Sequence, residues 1–356
     1  MAELILGHDS VADCNVNPTK YGVNILNFTQ PLDHFDPNNK VKWQQQVQWK
    51  NSTFKPNAEG DVVFLLIGGT EPAPLPWMCF MNFTWTKLAE EHNAFMFQLE
   101  HRYFGNSIPT PNMSVQNLAW LTTDQALADI NAFIPEMNKM FNFNKPKWVA
   151  FGGAYTGTLA ALLRVVYPNI TNGNVASSAP IWAKLDFWEY AQKMEEVILW
   201  ESQMNANNAE CYNETNAAFA YMRSAVYFEK GREELNSVFN ITPPLGKNFT
   251  TIDLDVINFL TTILDPFIRI TLYTYVNLDE ATINSTGLNV NNLCSKMVDQ
   301  SKNYTQRLYD VYNWESQWDS DVNPTFLDND YWDGIAPIQN ISFTGGNVII
   351  VFLGSF

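Results

Sequence analysis

The sequence has little positive charge and no long apolar run. Its 21 Lys and Arg residues are outnumbered by 37 Asp and Glu residues, which gives a formal net charge of −16. Nucleic acids bind basic surfaces, so this balance argues against a nucleic-acid partner. The longest apolar runs, Val62–Ile67 and Val348–Leu353, have the length of strands. The sequence therefore predicts no membrane span.

Cysteine is scarce, and its spacing excludes the common metal and redox motifs. No C-x-x-C pair occurs among Cys14, Cys79, Cys211 and Cys294, which argues against zinc and thioredoxin-like chemistry. In a secreted protein these four residues would form two disulfides, with buried free thiols as the alternative. Of the three connectivities, Cys211 with Cys294 is the most natural because both lie in one helical region. That pairing leaves Cys14 for Cys79.

Histidine is equally scarce and lies in no metal-binding spacing. His34 and His101 are outside any H-E-x-x-H or comparable pattern. We therefore predict that they are structural histidines rather than metal ligands. Neither a metal nor a cofactor is predicted for this chain.

The first residues lack the basic and apolar regions of a signal peptide, yet the rest of the sequence is typical of a secreted protein. Acceptor sites for N-glycosylation are more frequent than the roughly four or five that chance would give. This excess predicts a glycoprotein of the secretory route, secreted or lysosomal, with its signal removed or outside the numbering. The acceptor residues are Asn27, Asn51, Asn82, Asn112, Asn169, Asn213, Asn240, Asn248, Asn284, Asn303 and Asn340.

Apolar residues are abundant, and their spacing alternates between strand and helix patterns. They make up 46% of the sequence, enough for a packed core. Alternation predicts a half-buried strand over Val41–Trp49, and helical spacing predicts a helix from Thr123 to Phe141, capped by Thr122 or Thr123 and kinked at Pro135. Strands alternating with helices imply an α/β fold with a mostly parallel sheet. Further strands are predicted at Val62–Ile67, Phe95–Leu99, Lys147–Phe151 and Asn174–Ser178.

The pattern changes after Asp186. Helical patterns dominate from Phe187 to about Tyr312, and a strand pattern returns only at Val348–Leu353. We therefore expect residues 1–189 to form the first part of an α/β core, 190–335 a mostly helical cap insertion, and 336–356 a return to a core strand. By this division the core is expected to be incomplete at its carboxyl end.

The stretch most informative about chemistry runs from Lys147 to Gly157. An apolar run ends in a Gly pair, and a helical stretch follows at once. Strand, tight turn and helix are the parts of a nucleophile elbow, in which a Gly precedes the nucleophile by two residues. Gly152 holds that Gly position, and the apex residue is Ala154. An alanine has no group that can attack a carbonyl, so the place for a serine is present without its hydroxyl.

Several ordered motifs resemble the prolylcarboxypeptidase and dipeptidyl peptidase II family of serine exopeptidases. The likeness is strongest from about residue 27 to residue 190, and its most specific part surrounds the elbow. The motifs are Phe28–Phe35, Ile67–Gly69, Glu100–Ser107, Asp124–Asp129, Phe151–Ala161 and Val175–Pro180.

The resemblance implies an α/β-hydrolase core with a helical insertion and cleavage of peptides next to proline. In that family the nucleophilic Ser stands at the position of Ala154. The oxyanion hole would use the backbone N–H of Tyr155 and a second donor from Gly68 or Gly69. We further predict that Glu100–Arg102 forms a hydrogen-bonded support beneath the site. Asp124 and Asp129 are predicted to act electrostatically at the start of their helix.

The two other members of a catalytic triad are also missing. In α/β-hydrolases the triad follows the order Ser, Asp, His, but no histidine follows His101 in this sequence. The family's Asp would come after a strand resembling Val348–Leu353, about where the sequence ends. Loss of triad members costs ~10⁴ or more in rate. We therefore predict no serine-peptidase turnover, and no recovery from Ala154→Ser alone in this chain.

Two functions of different classes follow from these observations. The first is a binding or structural glycoprotein, which takes peptides with proline near a terminus or assembles as a homo-oligomer. Contortin-like proteins of the same family exemplify a filament or surface lattice. The second is an active Pro-specific carboxypeptidase or dipeptidyl peptidase, represented here by an inactivated or truncated chain.

Overall fold

The computed structural model describes residues 8–206, 208–246, 254–273, 286–317, 325–332 and 336. These residues divide into two compact units. One lies before Lys184 and the other spans Lys184–Ala336.

The first unit combines a six-stranded sheet with five α-helices among its described residues. Two short 3₁₀ helices, Pro18–Tyr21 and Asn117–Trp120, connect larger elements. The strands are β1 (Asn24–Pro31), β2 (Lys42–Lys50), β3 (Val62–Ile67), β4 (Phe95–Leu99), β5 (Lys147–Gly153) and β6 (Gly173–Ser177). The helices are α1 (His8–Val16), α2 (Pro76–Cys79), α3 (Thr84–Glu91), α4 (Thr123–Met140) and α5 (Tyr155–Val166).

The sheet has the order β1-β2-β4-β3-β5-β6. β1 and β2 are antiparallel to their neighbours, whereas β4, β3, β5 and β6 run parallel to one another. The predicted α/β fold with a mostly parallel sheet is confirmed. Because β3 and β5 are adjacent and parallel, their carboxyl ends meet at one edge of the sheet. The loop after β3 therefore lies beside the turn after β5.

Both faces of the sheet are covered, which explains why the central strand β3 is apolar without interruption. On β3, Val63, Leu65 and Ile67 belong to one buried cluster, while Phe64 belongs to another on the opposite face. Successive side chains of a strand point to opposite faces, so a strand buried on both faces must be apolar throughout. Helices α4 and α5 supply residues to the first cluster, and α2 and α3 to the second.

The predicted elements of this unit match the structure except at their ends. β3 and β4 have the predicted bounds, and Thr122 is the helix cap, because its side chain accepts from the Gln125 N–H at 3.2 Å. β5 continues two residues beyond Phe151, since Gly152 and Gly153 pair with β6. β1 was not predicted. Most of its residues are exposed or half-buried, so it carries little apolar signal.

The second unit is mostly helical in its described residues, as predicted for the insertion. A short parallel pair of strands, β7 (Ile241–Thr242) and β8 (Leu327–Asp328), was not predicted. The strand predicted at Val348–Leu353 lies outside the described residues. The helices are α6 (Trp188–Ala206), α7 (Glu210–Ala225), α8 (Glu229–Phe239), α9 (Leu254–Tyr273), α10 (Val290–Met297) and α11 (Tyr304–Ser316).

Each unit contains one disulfide. Cys14 bonds to Cys79 in the first unit, and Cys211 bonds to Cys294 in the second, where it ties α7 to α10. Both predicted pairings are therefore present. Within the described part of the chain, no helix has the length and apolar character required to cross a bilayer.

Candidate active site

The turn between β5 and α5 has the backbone of a nucleophile elbow. Ala154 lies between the strand and the helix with φ 53° and ψ −125°, a conformation that residues with a side chain rarely adopt. Its N–H donates to the Ser177 carbonyl at 3.0 Å, and its carbonyl accepts from the Thr158 N–H at 3.1 Å. The Ala154 residue is exposed. The turn therefore presents a methyl group at its apex.

Glycine at 152 is required by the closeness of strand and helix. A Cβ atom at Gly152 would overlap the Thr156 carbonyl and lie 2.7 Å from the Gly157 nitrogen. A Cβ atom at Gly153 would meet nothing within 4 Å. Only the first residue of the pair is thus constrained by packing, and it is the one that the motif requires.

Thr156 replaces the second glycine of the G-x-S-x-G pattern, a departure that the sequence analysis missed. Its hydroxyl accepts from the Gly153 N–H at 2.9 Å and donates to the Gly153 carbonyl at 3.0 Å. Its methyl group would lie 3.0 Å from a Cβ placed on Gly69. Thr156 therefore braces the turn and contacts the loop after β3.

The two glycines after β3 have different backbone surroundings. The Gly68 N–H donates to the Leu99 carbonyl at 2.8 Å, as part of the sheet. Gly69 is half-buried and lies against Thr156 at the start of α5. Tyr155 is the first residue of α5, where a backbone N–H has no acceptor within its own helix. The Gly69 backbone thus lies next to the first turn of α5, which begins at Tyr155.

Buried polar residues support this turn from the loop after β4. The Glu100 carboxylate accepts from the Ala73 N–H at 3.0 Å, the Asn106 N–H at 3.0 Å and the Ser107 hydroxyl at 2.6 Å. Burial raises the pKa of Glu100 above its ordinary value despite these donors. A Cβ on Gly105, which has φ 57°, would overlap this carboxylate.

Arg102 forms the second part of the support. The guanidinium is fully buried and donates to both Asp129 carboxylate oxygens at 2.7 Å. It also donates to the Leu32 carbonyl at 3.1 Å and the Trp120 carbonyl at 2.9 Å. His34 Nε2 lies 2.7 Å from the Asp129 carboxylate. Asp129 is therefore the partner of Arg102 and His34, and the prediction that it acts on the helix start was wrong. Asp124 does lie in the first turn of α4.

His101 completes the support and contacts the elbow helix directly. Its Nε2 lies 3.1 Å from the Tyr155 hydroxyl oxygen, and its Nδ1 lies 2.8 Å from the Arg102 carbonyl oxygen. Burial lowers the pKa of His101 to about 4, and burial raises the pKa of Tyr155 to about 12. Both side chains are therefore neutral at pH 7. Glu100–Arg102 forms the hydrogen-bonded support that the sequence predicted.

His34 and His101 are structural in this arrangement, since each is hydrogen-bonded to a protein group. Among the described residues, no three His, Cys, Asp or Glu side chains are grouped so as to hold a metal ion. No signal in the sequence paired Asp129 with Arg102 or with His34. The one available clue was that a buried arginine requires a carboxylate.

The predicted glycosylation residues differ in how accessible they are. Asn112 is half-buried, and its side-chain oxygen accepts from the Ser114 N–H at 3.0 Å. The Asn240 amide nitrogen donates to the Thr325 carbonyl at 2.6 Å, and Asn303 caps α11. Asn248, Asn284 and Asn340 lie outside the described residues. Asn240 and Asn303 are nevertheless exposed, and so are the remaining acceptors, Asn27, Asn51, Asn82, Asn169 and Asn213.

Comparison with known proteins agrees with this geometry. The sequence profile of the family described as serine carboxypeptidase S28 matches residues 30–342. A putative serine protease of Caenorhabditis elegans is 37% identical over 326 residues, which cover 91% of this chain and 58% of the relative. Human lysosomal Pro-X carboxypeptidase is 36% identical over 164 residues, which cover 44% of this chain and 32% of the relative.

The chain spans about half the length of the two relatives that it matches over most of its own sequence. Among solved structures, the proline iminopeptidase of Mycobacterium smegmatis aligns with a TM-score of 0.35 and 16% identity. That alignment covers 68% of this chain and 69% of the other.

Proposed function

The chain belongs to the serine carboxypeptidase S28 family, and from this premise we propose that it binds peptides in a serine-peptidase type of site without cleaving them. The observation that carries the proposal is Ala154 at the apex of the elbow. The backbone there has the conformation that presents a nucleophile, but the side chain has no hydroxyl to form an acyl-enzyme. Loss of the nucleophile removes bond cleavage and leaves the backbone donors in place.

Backbone donors would hold the carbonyl of a bound peptide. We propose that Tyr155 supplies one N–H, because it is the first residue of α5 and its N–H has no acceptor within that helix. Gly69 is the second candidate. Gly68 is less suited, since its N–H is already bonded to Leu99. The helix amino terminus would add a favourable field for the carbonyl oxygen.

The proposed ligand is a peptide with proline near one terminus. One relative is named lysosomal Pro-X carboxypeptidase, and another is named probable extracellular serine carboxypeptidase. Because the elbow and the buried polar residues beside it are present, we propose that this chain has kept the ligand preference that the names of these relatives indicate. The terminus that is recognised is left to experiment, with Pro-Xaa at the carboxyl end and Xaa-Pro at the amino end as the two probes.

The test compares the chain with its Ala154→Ser variant. We expect neither protein to hydrolyse Pro-Xaa or Xaa-Pro peptides above the rate of a blank, while both bind one of them in calorimetry. The reason is that a restored hydroxyl would still need a histidine whose Nε2 faces it. The Nε2 atom of His34 faces Asp129, and that of His101 faces the Tyr155 hydroxyl. Ala161→Ser, on the same helix, is the control for an added hydroxyl. Sustained turnover by Ala154→Ser would refute the non-cleaving proposal.

A second candidate is an active exopeptidase of which this chain represents an altered part. The strained backbone at Ala154 favours it, because φ 53° has no packing benefit for an alanine and serves to present a nucleophile. The discriminating experiment places Ser at position 154 in a longer polypeptide of the relatives' length. Proline-directed cleavage that depends on this Ser would support the second candidate, and its absence would support the first.

We also propose that the chain is a glycoprotein of the secretory route, secreted or lysosomal. Two disulfides and seven exposed acceptor residues support this proposal. Expression in a eukaryotic secretory host followed by peptide-N-glycosidase treatment would test it. A mass that does not change on treatment would contradict it.

Self-association stays a prediction from the sequence. Sedimentation velocity over a wide concentration range would detect a homo-oligomer, and electron microscopy would detect a filament or lattice. A monomer at every concentration would contradict both the homo-oligomer and the filament or lattice.

A further inference from the structure

His101 joins the loop after β4 to the first residue of the elbow helix. Its ring is 5% exposed, with Nδ1 2.8 Å from the Arg102 carbonyl and Nε2 3.1 Å from the Tyr155 hydroxyl. A carbonyl oxygen can only accept, so Nδ1 carries a proton. In the neutral ring Nε2 is then an acceptor, and the Tyr155 hydroxyl donates to it. The contacts therefore select one tautomer of the neutral ring.

The groups around this ring do not favour a positive charge on it. From its own loop, Arg102 is a fully buried cation, and Glu100 is bonded to Ala73, Asn106 and Ser107. From α4, Asp129 is the nearby anion, but Arg102 binds both of its oxygens and His34 binds one.

From α5 the facing titratable group is Tyr155, which is neutral at pH 7 because burial raises its pKa to about 12. An imidazolium at His101 would thus have no counterion of its own.

We propose that His101 is a positioning residue that holds the start of the elbow helix only while its ring is neutral, so that acid weakens the candidate binding site. Tyr155 is both the residue that the ring holds and the residue whose N–H is proposed to bind the ligand carbonyl. The consequence for ligand binding rests on the proposed function. The consequence for stability does not.

The direction of the pH effect follows from the two states of His101. Its ordinary pKa is 6.5, and burial lowers the pKa in the folded chain to about 4. Between these values the unfolded chain binds more protons, so acid shifts the equilibrium toward unfolding. The stabilisation is complete above pH 6.5 and declines as the pH falls toward 4. The full difference corresponds to a roughly 300-fold change in the folding equilibrium constant.

Nuclear magnetic resonance of labelled histidine rings tests the tautomer directly. The sequence has only four histidines, so His101 can be assigned by substitution. We expect one ring with Nδ1 protonated and Nε2 unprotonated that does not titrate above pH 5. A His101 ring that titrates near 6.5 would overturn the inference.

Stability measurements provide the second test. His101→Gln keeps an acceptor near the Tyr155 hydroxyl but cannot titrate. Between pH 7 and pH 4 the folding equilibrium constant of the wild-type chain should therefore fall more than that of His101→Gln, by up to the same roughly 300-fold factor. His92→Gln, at an exposed position, is the matched control for the loss of a histidine. Equal pH dependence in the wild-type chain and His101→Gln would overturn the inference.

Ligand binding separates this inference from the proposed function. Calorimetry with the tripeptide Ala-Pro-Phe should show affinity that falls between pH 5 and pH 3.5 in the wild-type chain and falls less in His101→Gln. Tyr155→Phe, which removes the donor, should weaken binding at pH 7 as well. If no variant binds a proline peptide at any pH, the proposed function fails, while the ring titration and the stability profile still decide the role of His101. Equal acid sensitivity of binding in His101→Gln and wild type would overturn the link to the site.

Discussion

At the scale of single residues, Ala154 shows a local conflict between backbone and side chain. Its φ of 53° and ψ of −125° cost a residue with a Cβ atom about 1–3 kcal/mol. A serine in that conformation would expose its hydroxyl as a nucleophile. An alanine has the same backbone strain but no reactive group. The turn keeps this shape because its neighbours determine it. Ala154 is bonded to Ser177 on β6 and to Thr158 in α5.

Replacing Ala154 by glycine should therefore stabilise the fold. Glycine adopts positive φ without strain, although it also gains freedom in the unfolded chain, so we expect a net gain of about 1 kcal/mol in the free energy of unfolding. Ala161→Gly in the regular part of α5 is the control and should cost about 1 kcal/mol. Urea denaturation measures both. If Ala154→Gly destabilises the chain as much as the control does, the backbone at 154 is not strained.

At the scale of elements, the junction of β5 with α5 depends on one close approach. Gly152 lies so near the first turn of α5 that a methyl group would overlap the Thr156 carbonyl. Gly153, its neighbour, has open space around it. The glycine pair therefore contains one residue that the packing requires and one that it tolerates. The distinction follows from the path of the helix and does not depend on catalysis.

The two glycines should respond differently to alanine. We expect Gly152→Ala to lower the free energy of unfolding by about 3 kcal/mol or more, because backbone must move to relieve the overlap. Gly153→Ala should change it by less than about 1 kcal/mol. Thermal denaturation monitored by circular dichroism compares the pair. Equal losses would show that the strand and helix are farther apart than described.

At the scale of the whole molecule, the described residues form two units with separate cores and separate disulfides. The core of the first unit includes Cys14 and Cys79, and that of the second includes Cys211 next to the half-buried Cys294. Each disulfide closes a long stretch of chain, with sequence separations of 65 and 83. A bond over such a distance removes much of the freedom of the unfolded chain.

We predict that each disulfide stabilises its own unit. The double variant Cys211→Ala with Cys294→Ala should lose about 2–5 kcal/mol in the helical unit, and Cys14→Ala with Cys79→Ala a similar amount in the sheet unit. Differential scanning calorimetry of the full chain should show two transitions, of which each double variant lowers one. A single transition lowered equally by both variants would mean that the two units unfold together.

Much of the fold was predictable from local pattern. β3 was found to the residue because a strand buried on both faces is apolar without a break. β4 was also found to the residue, although it contains the polar Gln98. β1 was missed because its residues are mostly exposed or half-buried, and β7 and β8 were missed because two residues show no period. The elbow and Ala154 were found because a tight turn between strand and helix imposes glycine within a few residues.

The sequence by itself thus determined the α/β class and the helical character of the insertion, because each depends on residues close together in the chain. Only the tertiary structure paired His101 with Tyr155, 54 residues apart, and His34 with Asp129, 95 residues apart. Such contacts have no signature in spacing, since the path of the sheet decides which loops meet. Physically, burial creates the need for a hydrogen-bond partner, and the topology of the fold decides which residue supplies it.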